Sequence, residues 1–205
     1  TEILSAVNKT IIVVTAVGKI PHNRIISSAG AKPGDDLVLT KGAGIEGTYI
    51  LASDYSDLLI KNNIDKDIIK RAQCYCEKIS VIKEGIIAAK MGAHAMHDVT
   101  EGGLYGAMEE LAHAGGNGFE LFFNKIPVCK ETAEICNKLN IDPAGLISSG
   151  SMLIAIAETE SERLINKLDT ENIASVKIGK VTKNKKYIIK NGKKTTFNWS
   201  KRDEL

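Results

Sequence analysis

The spacing of apolar and polar residues divides the chain into short strands and helices. Runs of β-branched and apolar residues predict strands at 11–17, 36–40, 95–97, 119–123, 152–157 and 174–178. Helical periodicity predicts helices at 48–61, 65–90 (with a break near Ser80), 130–139 and 161–168. Asn191-Gly192 predicts the turn of a hairpin at 187–197. Together these elements predict a layered α+β domain with a mixed or antiparallel sheet.

A further helix is predicted to begin near 98 and to run to Ala114. Its apolar residues recur at the spacing of one buried face: Leu104, Ala107, Met108, Leu111 and Ala112. The glycines at 115–118 are expected to end it, because glycine accepts the left-handed conformation found after many helices.

The start of this helix, D-V-T-E-G-G at 98–103, allows two interpretations. Asp98 and Glu101 could form an acidic version of a capping box. Capping leaves the glycines unexplained, since each costs roughly 1 kcal/mol against alanine inside a helix. A helix N-terminus with free N–H groups and no side chains in the way binds anions such as phosphate. Both interpretations stay open at this point.

Two other segments are rich in small residues. Residues 42–47, G-A-G-I-E-G, follow a strand and precede a helix, as in the loop that binds NAD in dinucleotide-binding folds. The second strand ending in an acid, which such folds place about twenty residues later, is missing from the pattern. Residues 148–151, S-S-G-S, predict either a polar turn or a loop whose backbone approaches a ligand.

Composition narrows the functional classes. The 205 residues are 43% hydrophobic and 25% charged, and the formal net charge of +2 gives no reason to expect a nucleic-acid partner. The lysines at 183–194 are expected to protect an edge hairpin. The sequence contains no apolar run of about 18 residues and no signal-peptide pattern near its start, so we expect a cytoplasmic protein with no membrane partner.

Cysteine and histidine spacing predicts no metal site in this chain. Cys74, Cys76, Cys129 and Cys136 fit no metal-ligand pattern and are expected to be free thiols. His94 and His97 would point to opposite sides of a strand.

Three motifs in order, K-P-G-D-D-L-V-L-T-K at 32–41, M-H-D-V-T-E-G-G-L at 96–104 and I-S-S-G-S-M-L-I at 147–154, resemble the AIR synthase-related superfamily. That superfamily includes selenophosphate synthetase, thiamine monophosphate kinase and the hydrogenase expression/formation protein HypE. The D-x-T-x-G-G form of the helix start is most similar to the HypE-like branch.

The resemblance implies a PurM-like C-terminal domain at 25–205, with 1–24 as the last strand of an N-terminal domain and a linker. That other domain would carry most Mg²⁺ ligands and would make a homodimer of the full-length protein. The resemblance also implies ATP and Mg²⁺ as cofactors, and phosphoryl activation of a small acceptor or of a group on a carrier protein. Hydrogenase-maturation proteins are the implied partners.

In HypE-like proteins the activated group is a carbamoyl on a C-terminal cysteine, which is dehydrated to a nitrile. This sequence has no cysteine at its end, so either the protein continues beyond Leu205 or it acts on another substrate. We expect the isolated chain to be inactive, and a non-catalytic nucleotide-binding or scaffold module in hydrogenase maturation is the alternative function.

The resemblance and the chemistry of the loops give one set of candidate residues for the ATP phosphates, with no catalytic residue among them: Lys41, Gly42, Gly44, Asp98, Thr100, Gly102, Gly103, Ser149 and Gly150.

Overall fold

The computed structural model describes residues 12–15, 17–20, 25–199 and 202–205. The helices are α1 (Ile45–Asp54), α2 (Ser56–Lys61), α3 (Lys66–Gln73), α4 (Ile82–Lys90), α5 (Gly103–Gly115), α6 (Lys130–Leu139) and α7 (Glu158–Asp169). The strands are β1 (Asp36–Thr40), β2 (Ala95–Asp98), β3 (Gly118–Phe122), β4 (Met152–Ile156), β5 (Ser175–Thr182), β6 (Lys186–Lys190) and β7 (Lys193–Thr196).

All seven strands form one mixed sheet in the order β2-β4-β1-β5-β3-β6-β7. Every neighbouring pair is antiparallel except β3 and β6, which are parallel. Strands β1 and β2 are both antiparallel to β4, so they run in the same direction and end where β4 begins. The loops that follow β1 and β2 and the loop that precedes β4 therefore meet at one edge of the sheet.

Helices cover both faces of the sheet. Helix α5 packs on one face, and the residues predicted for its buried side are between 0% and 2% exposed, which confirms that prediction. Helices α4 and α7 cover β4 and β1 on the other face. A third apolar cluster joins α1, α3 and α6 beyond the edge of the sheet. The predicted α+β class and mixed sheet are confirmed.

The predicted elements differ from the structure mainly at their ends. The helix predicted at 48–61 begins at Ile45 and is divided at Tyr55, whose φ of −122° is not helical. Strand β5 extends to Thr182, beyond the predicted end at 178. Gly179 and Lys180 interrupt the apolar run in the sequence, yet both continue β5 because they pair with β1 on one side and with β3 on the other.

Within the described residues, the strand predicted at 11–17 is not formed. Residues 12–15 and 17 have no regular secondary structure, and residues 11 and 16 lie outside the described part. Ile12, Val13, Val14 and Val17 are each at least 80% exposed. Their β-branched side chains favour a strand, but a strand also needs a pairing partner. The assignment of 1–24 to another domain stays a prediction.

A polar cluster holds α3 against α6. Nε of Arg71 lies 2.6 Å from Oε1 of Glu131, and the Tyr75 hydroxyl donates to Oε2 over 2.9 Å. The hydrogen bond from Arg71 is the main reason why the pKa of Glu131 falls from 4.5 to about 2. The ionised Glu131 therefore stabilises the folded state fully above pH 4.5, and this contribution is lost as the pH falls towards 2.

We expect Glu131→Gln to flatten this acid dependence. The wild-type protein should lose about 1–3 kcal/mol more stability than the variant between pH 7 and pH 2.5, with the lower end set by the solvent exposure of Arg71. Urea unfolding at both pH values measures the difference. The matched control is Glu134→Gln on the same helix, which should follow the wild type. An acid dependence of Glu131→Gln equal to that of the wild type would show that the ion pair contributes nothing.

Candidate functional site

Lys41, directly after β1, is the polar centre of the sheet edge. Its Nζ lies 2.6 Å from Oε1 of Glu84, whose side chain is only 2% exposed. It also donates to three carbonyl oxygens, of Lys78 at 2.9 Å, Ser80 at 2.7 Å and Gly150 at 2.9 Å. Four oxygen atoms therefore surround the ammonium group. Through these contacts Lys41 joins β1 to the segment before α4 and to the 148–151 loop.

Backbone N–H groups of the glycine-rich loop at 42–47 are hydrogen-bonded to other segments of the protein. The N–H groups of Ala43, Ile45 and Gly47 donate to the Pro127 carbonyl, the Ser148 hydroxyl and the Ile147 carbonyl. A Cβ atom at Gly47 would be 2.4 Å from the Leu146 side chain. Because these N–H groups are occupied and β1 has antiparallel neighbours on both sides, the loop does not form the parallel βαβ unit of an NAD site.

Gly42 and Gly44 have structural reasons to be glycine. The Gly42 carbonyl accepts hydrogen bonds from the hydroxyls of Ser148 and Ser151. A Cβ atom at Gly42 would be 2.9 Å from the Pro127 carbonyl oxygen. Gly44 precedes α1 with a φ of 72°, in the left-handed region. These two candidates shape the loop, and both residues are buried.

The D-V-T-E-G-G segment turns sharply before α5. Asp98 ends β2, and the helix begins five residues later, at Gly103. The interpretation of Asp98 as the helix cap is therefore wrong, since the N-cap is Gly102, which has no side chain of its own. The buried Val99 donates its N–H to the Ser151 carbonyl, which ties this segment to the 148–151 loop.

The paired glycines are needed by this turn. Gly102 and Gly103 have φ values of 75° and 58°, both in the left-handed region. The Gly103 N–H donates to the Thr100 carbonyl, and a Cβ atom at Gly103 would be 2.5 Å from the Leu146 carbonyl oxygen. Any side chain here would strain the turn and collide with backbone. A substitution such as Gly103→Glu would therefore disrupt the fold as well as any ligand site.

A carboxylate occupies the helix start. Oδ2 of Asp203 accepts the Gly102 N–H over 2.6 Å, and Oδ1 accepts the Ile147 N–H over 3.3 Å. Backbone N–H groups from two of the three loops thus converge on a single anionic group. This arrangement is what the sequence predicts for phosphate, with a carboxylate of the same chain in that position.

Beside this carboxylate lies a cavity of about 530 Å³. Its lining combines one indole, one imidazole, one glycine and four carboxylates: Trp199, His113, Gly102, Glu101, Glu109, Glu110 and Asp203. Nε2 of His97 lies 2.8 Å from Oε2 of Glu110, at the edge of this group. His97 therefore serves an ion pair or hydrogen bond within the protein.

The third loop completes the edge. The hydroxyls of Ser148 and Ser151 are buried and bound to the Gly42 carbonyl, whereas Ser149 is half-buried. Gly150 has a φ of 106° and fits against the Lys78 carbonyl, where a Cβ atom would be 2.5 Å away. Among the candidates other than Lys41, the side chains of Asp98, Thr100 and Ser149 reach solvent.

Sequence reasoning thus found the three loops but missed the groups that bind them together. Glu84, Trp199 and Asp203 were not predicted. A lone carboxylate in an amphipathic helix and the residues near the end of the chain carried no pattern that separates them from ordinary surface positions.

The structure also describes the four cysteines. Cys74 and Cys76 are exposed, Cys129 is half-buried and Cys136 is buried, all as free thiols. Within the described ranges, no group of three or more His, Cys, Asp or Glu residues could hold a metal ion.

Among the helices described, none is long and apolar enough to cross a membrane.

Comparison with known proteins supports the family suggested by the motifs. The model of the family described as AIR synthase related protein, C-terminal domain, matches residues 32–191. Carbamoyl dehydratase HypE of Rhodobacter capsulatus is 29% identical over 147 residues, which cover 72% of this chain and 41% of that protein.

Two crystal structures show the same fold. HypE of E. coli has a TM-score of 0.74 at 22% identity, covering 92% of this chain and 56% of that one. A HypE in complex with ATP has a TM-score of 0.64 at 17% identity, covering 89% and 56%. The chain thus spans between 41% and 56% of the length of these three proteins.

The predicted PurM-like fold and its resemblance to the HypE-like branch are confirmed. The chain belongs to the AIR synthase related family and matches the C-terminal domain of its members.

Proposed function

We propose that this chain is the C-terminal domain of an ATP-dependent, HypE-like enzyme of hydrogenase maturation. In this proposal its sheet edge helps to bind the ATP phosphates while a small acceptor, or a group on a carrier protein, is activated by phosphoryl transfer. The family match supports the proposal, and so does the ATP complex of a HypE with the same fold. Cytoplasmic localisation, a full-length homodimer and hydrogenase-maturation partners belong to the same proposal.

One observation carries the phosphate site. The Gly102 and Ile147 N–H groups, from two loops of different strands, already hold a carboxylate at the start of α5. A phosphate oxygen makes the same hydrogen bonds and gains from the partial positive charge of the helix N-terminus. Phosphoryl transfer depends mainly on positioning and charge neutralisation, which such backbone groups supply.

The candidate residues divide into two groups in this proposal. Asp98 is exposed, and Thr100 and Ser149 are half-buried; in this proposal they would contact the bound nucleotide or its Mg²⁺. Lys41, Gly42, Gly44, Gly103 and Gly150 would act by holding the loops in place. We assign no complete set of Mg²⁺ ligands to this chain, because its described residues contain no cluster of three or more suitable side chains.

The phosphate role is tested by calorimetric titration of the protein with Mg-ATP, with NAD as the contrast. We expect saturable binding of Mg-ATP and none of NAD. Asp98→Asn should weaken Mg-ATP binding about fivefold or more, because a carboxylate that helps to hold Mg²⁺ is lost. Asp169→Asn on α7, at the opposite face of the sheet, is the matched control and should bind like the wild type. Equal affinities of both variants would remove Asp98 from the site.

The structural role of Lys41 gives a separate test. Lys41→Met leaves the buried Glu84 carboxylate without its partner and should lower the free energy of unfolding by about 3–5 kcal/mol. The double variant Lys41→Met/Glu84→Met should recover at least about 1 kcal/mol of this loss, since the isolated charge is gone. Lys83→Met, at an exposed ion pair on α4, should change stability by less than about 1 kcal/mol. Unchanged stability of Lys41→Met with weaker ATP binding would instead make Lys41 a phosphate ligand.

ATP turnover separates the enzyme from the scaffold alternative. An enzyme of this kind couples ATP hydrolysis to its acceptor, whereas a nucleotide-binding scaffold needs no hydrolysis. The assay requires the protein at the full length of its relatives, because the chain covers about half of them.

A further inference from the structure

The C-terminal residues of the chain lie across the start of α5. The Phe197 ring packs edge-to-face on Tyr105 and Phe119, with centroid distances of 5.4 and 5.0 Å. Trp199 lies over Gly102 so closely that a Cβ atom there would be 2.5 Å from the indole. Asp203 then reaches the helix start, and the Glu204 N–H donates to the Gly145 carbonyl. We call residues 197–199 and 202–205 the C-terminal strap.

We propose that the C-terminal strap is a built-in competitor of phosphate at the start of α5. The Asp203 carboxylate must leave the Gly102 and Ile147 N–H groups before a phosphate can bind there. The observation behind this is that both carboxylate oxygens are engaged. Oδ2 takes the Gly102 N–H at 2.6 Å, and Oδ1 takes those of Ile147 at 3.3 Å and Leu205 at 2.9 Å. The inference rests on the proposed function for the identity of the incoming anion.

The surroundings of Asp203 favour a reversible contact. Charge-assisted hydrogen bonds and the helix dipole hold the carboxylate in place. Glu101, Glu109 and Glu110 line the same cavity. Glu109 forms an ion pair with Lys186, and Oε2 of Glu110 lies 2.8 Å from Nε2 of His97. Among the described residues Glu101 has no ion-pair partner, so its carboxylate opposes Asp203 by like-charge repulsion. The contact of Asp203 is therefore one that another anion can replace.

The position of the indole makes the strap observable. Trp199 is the one tryptophan of the sequence, and it touches both Gly102 and Gly106 at the helix start. Its fluorescence therefore reports whether the strap is docked, without any label and without any enzymatic activity.

The experiment titrates the 205-residue chain with sodium tripolyphosphate and follows both heat and Trp199 emission. In the wild type, binding should move the emission to the longer wavelengths of a solvated indole, with one midpoint for heat and emission. Asp203→Asn should bind tripolyphosphate about five- to tenfold more tightly, because an amide competes less well for the two N–H groups. The matched control is Glu204→Gln, the neighbouring carboxylate, which should keep the wild-type affinity.

A second variant guards against misfolding. A chain shortened after residue 201 loses the carboxylate but keeps Trp199, and it should also bind more tightly than the wild type. Wild-type affinity in both Asp203→Asn and the shortened chain, or weaker binding in both, would overturn the competitor while leaving the phosphate site in place. Failure of every variant to bind tripolyphosphate would overturn the phosphate site of the proposed function, and the competitor with it.

Discussion

The arrangement of the candidate site depends on one partly buried ammonium group. Lys41 follows the last residue of β1, and its Nζ is shared by the Glu84 carboxylate and three backbone carbonyls from two other segments. Loops that leave a sheet edge have polar backbone groups that must find partners when water is excluded. Here a single cation satisfies three carbonyls at once, and its charge is balanced by a carboxylate that is almost fully buried. The 148–151 loop can therefore stay close to β1, and through Val99 it also fixes the turn before α5.

The close packing of the three loops explains why their glycines have different structural roles. Gly42, Gly103 and Gly150 each lie where a Cβ atom would meet a backbone carbonyl, so they permit one segment to pack on the next. Gly102 differs, because the group that lies against it is the Trp199 indole and its N–H points to a carboxylate. Close packing of three loops thus leaves the N–H groups of Gly102 and Ile147 directed at a position outside the backbone. The proposed anion site would then be a consequence of how the loops satisfy their other polar groups.

Much of the fold could be predicted from the sequence, because local patterns determine it. The five apolar residues of α5 and the Asn191-Gly192 turn of the hairpin were found where they were predicted. The candidate site could be predicted only in part. The loops carry motifs, but Glu84 is one acid among many in helical sequence, and its partner Lys41 lies 43 positions away in the printed sequence. The prediction of a strand at 11–17 was wrong because β-propensity is a local property and does not show whether a partner strand is present.

The position of Asp203 bears on how anion sites can be recognised in such proteins. A glycine-rich helix start with unpaired N–H groups would be exposed to water and to any anion in solution. In this chain the Asp203 carboxylate accepts the Gly102 N–H, and it lies beside the carboxylates of the neighbouring cavity. The same features that make the position suitable for phosphate, two converging N–H groups and a helix dipole, also make it suitable for an acidic side chain. The Asp203 carboxylate at this glycine-rich helix start is therefore the observation on which the proposed anion site rests, and its side chain marks where the anion would sit.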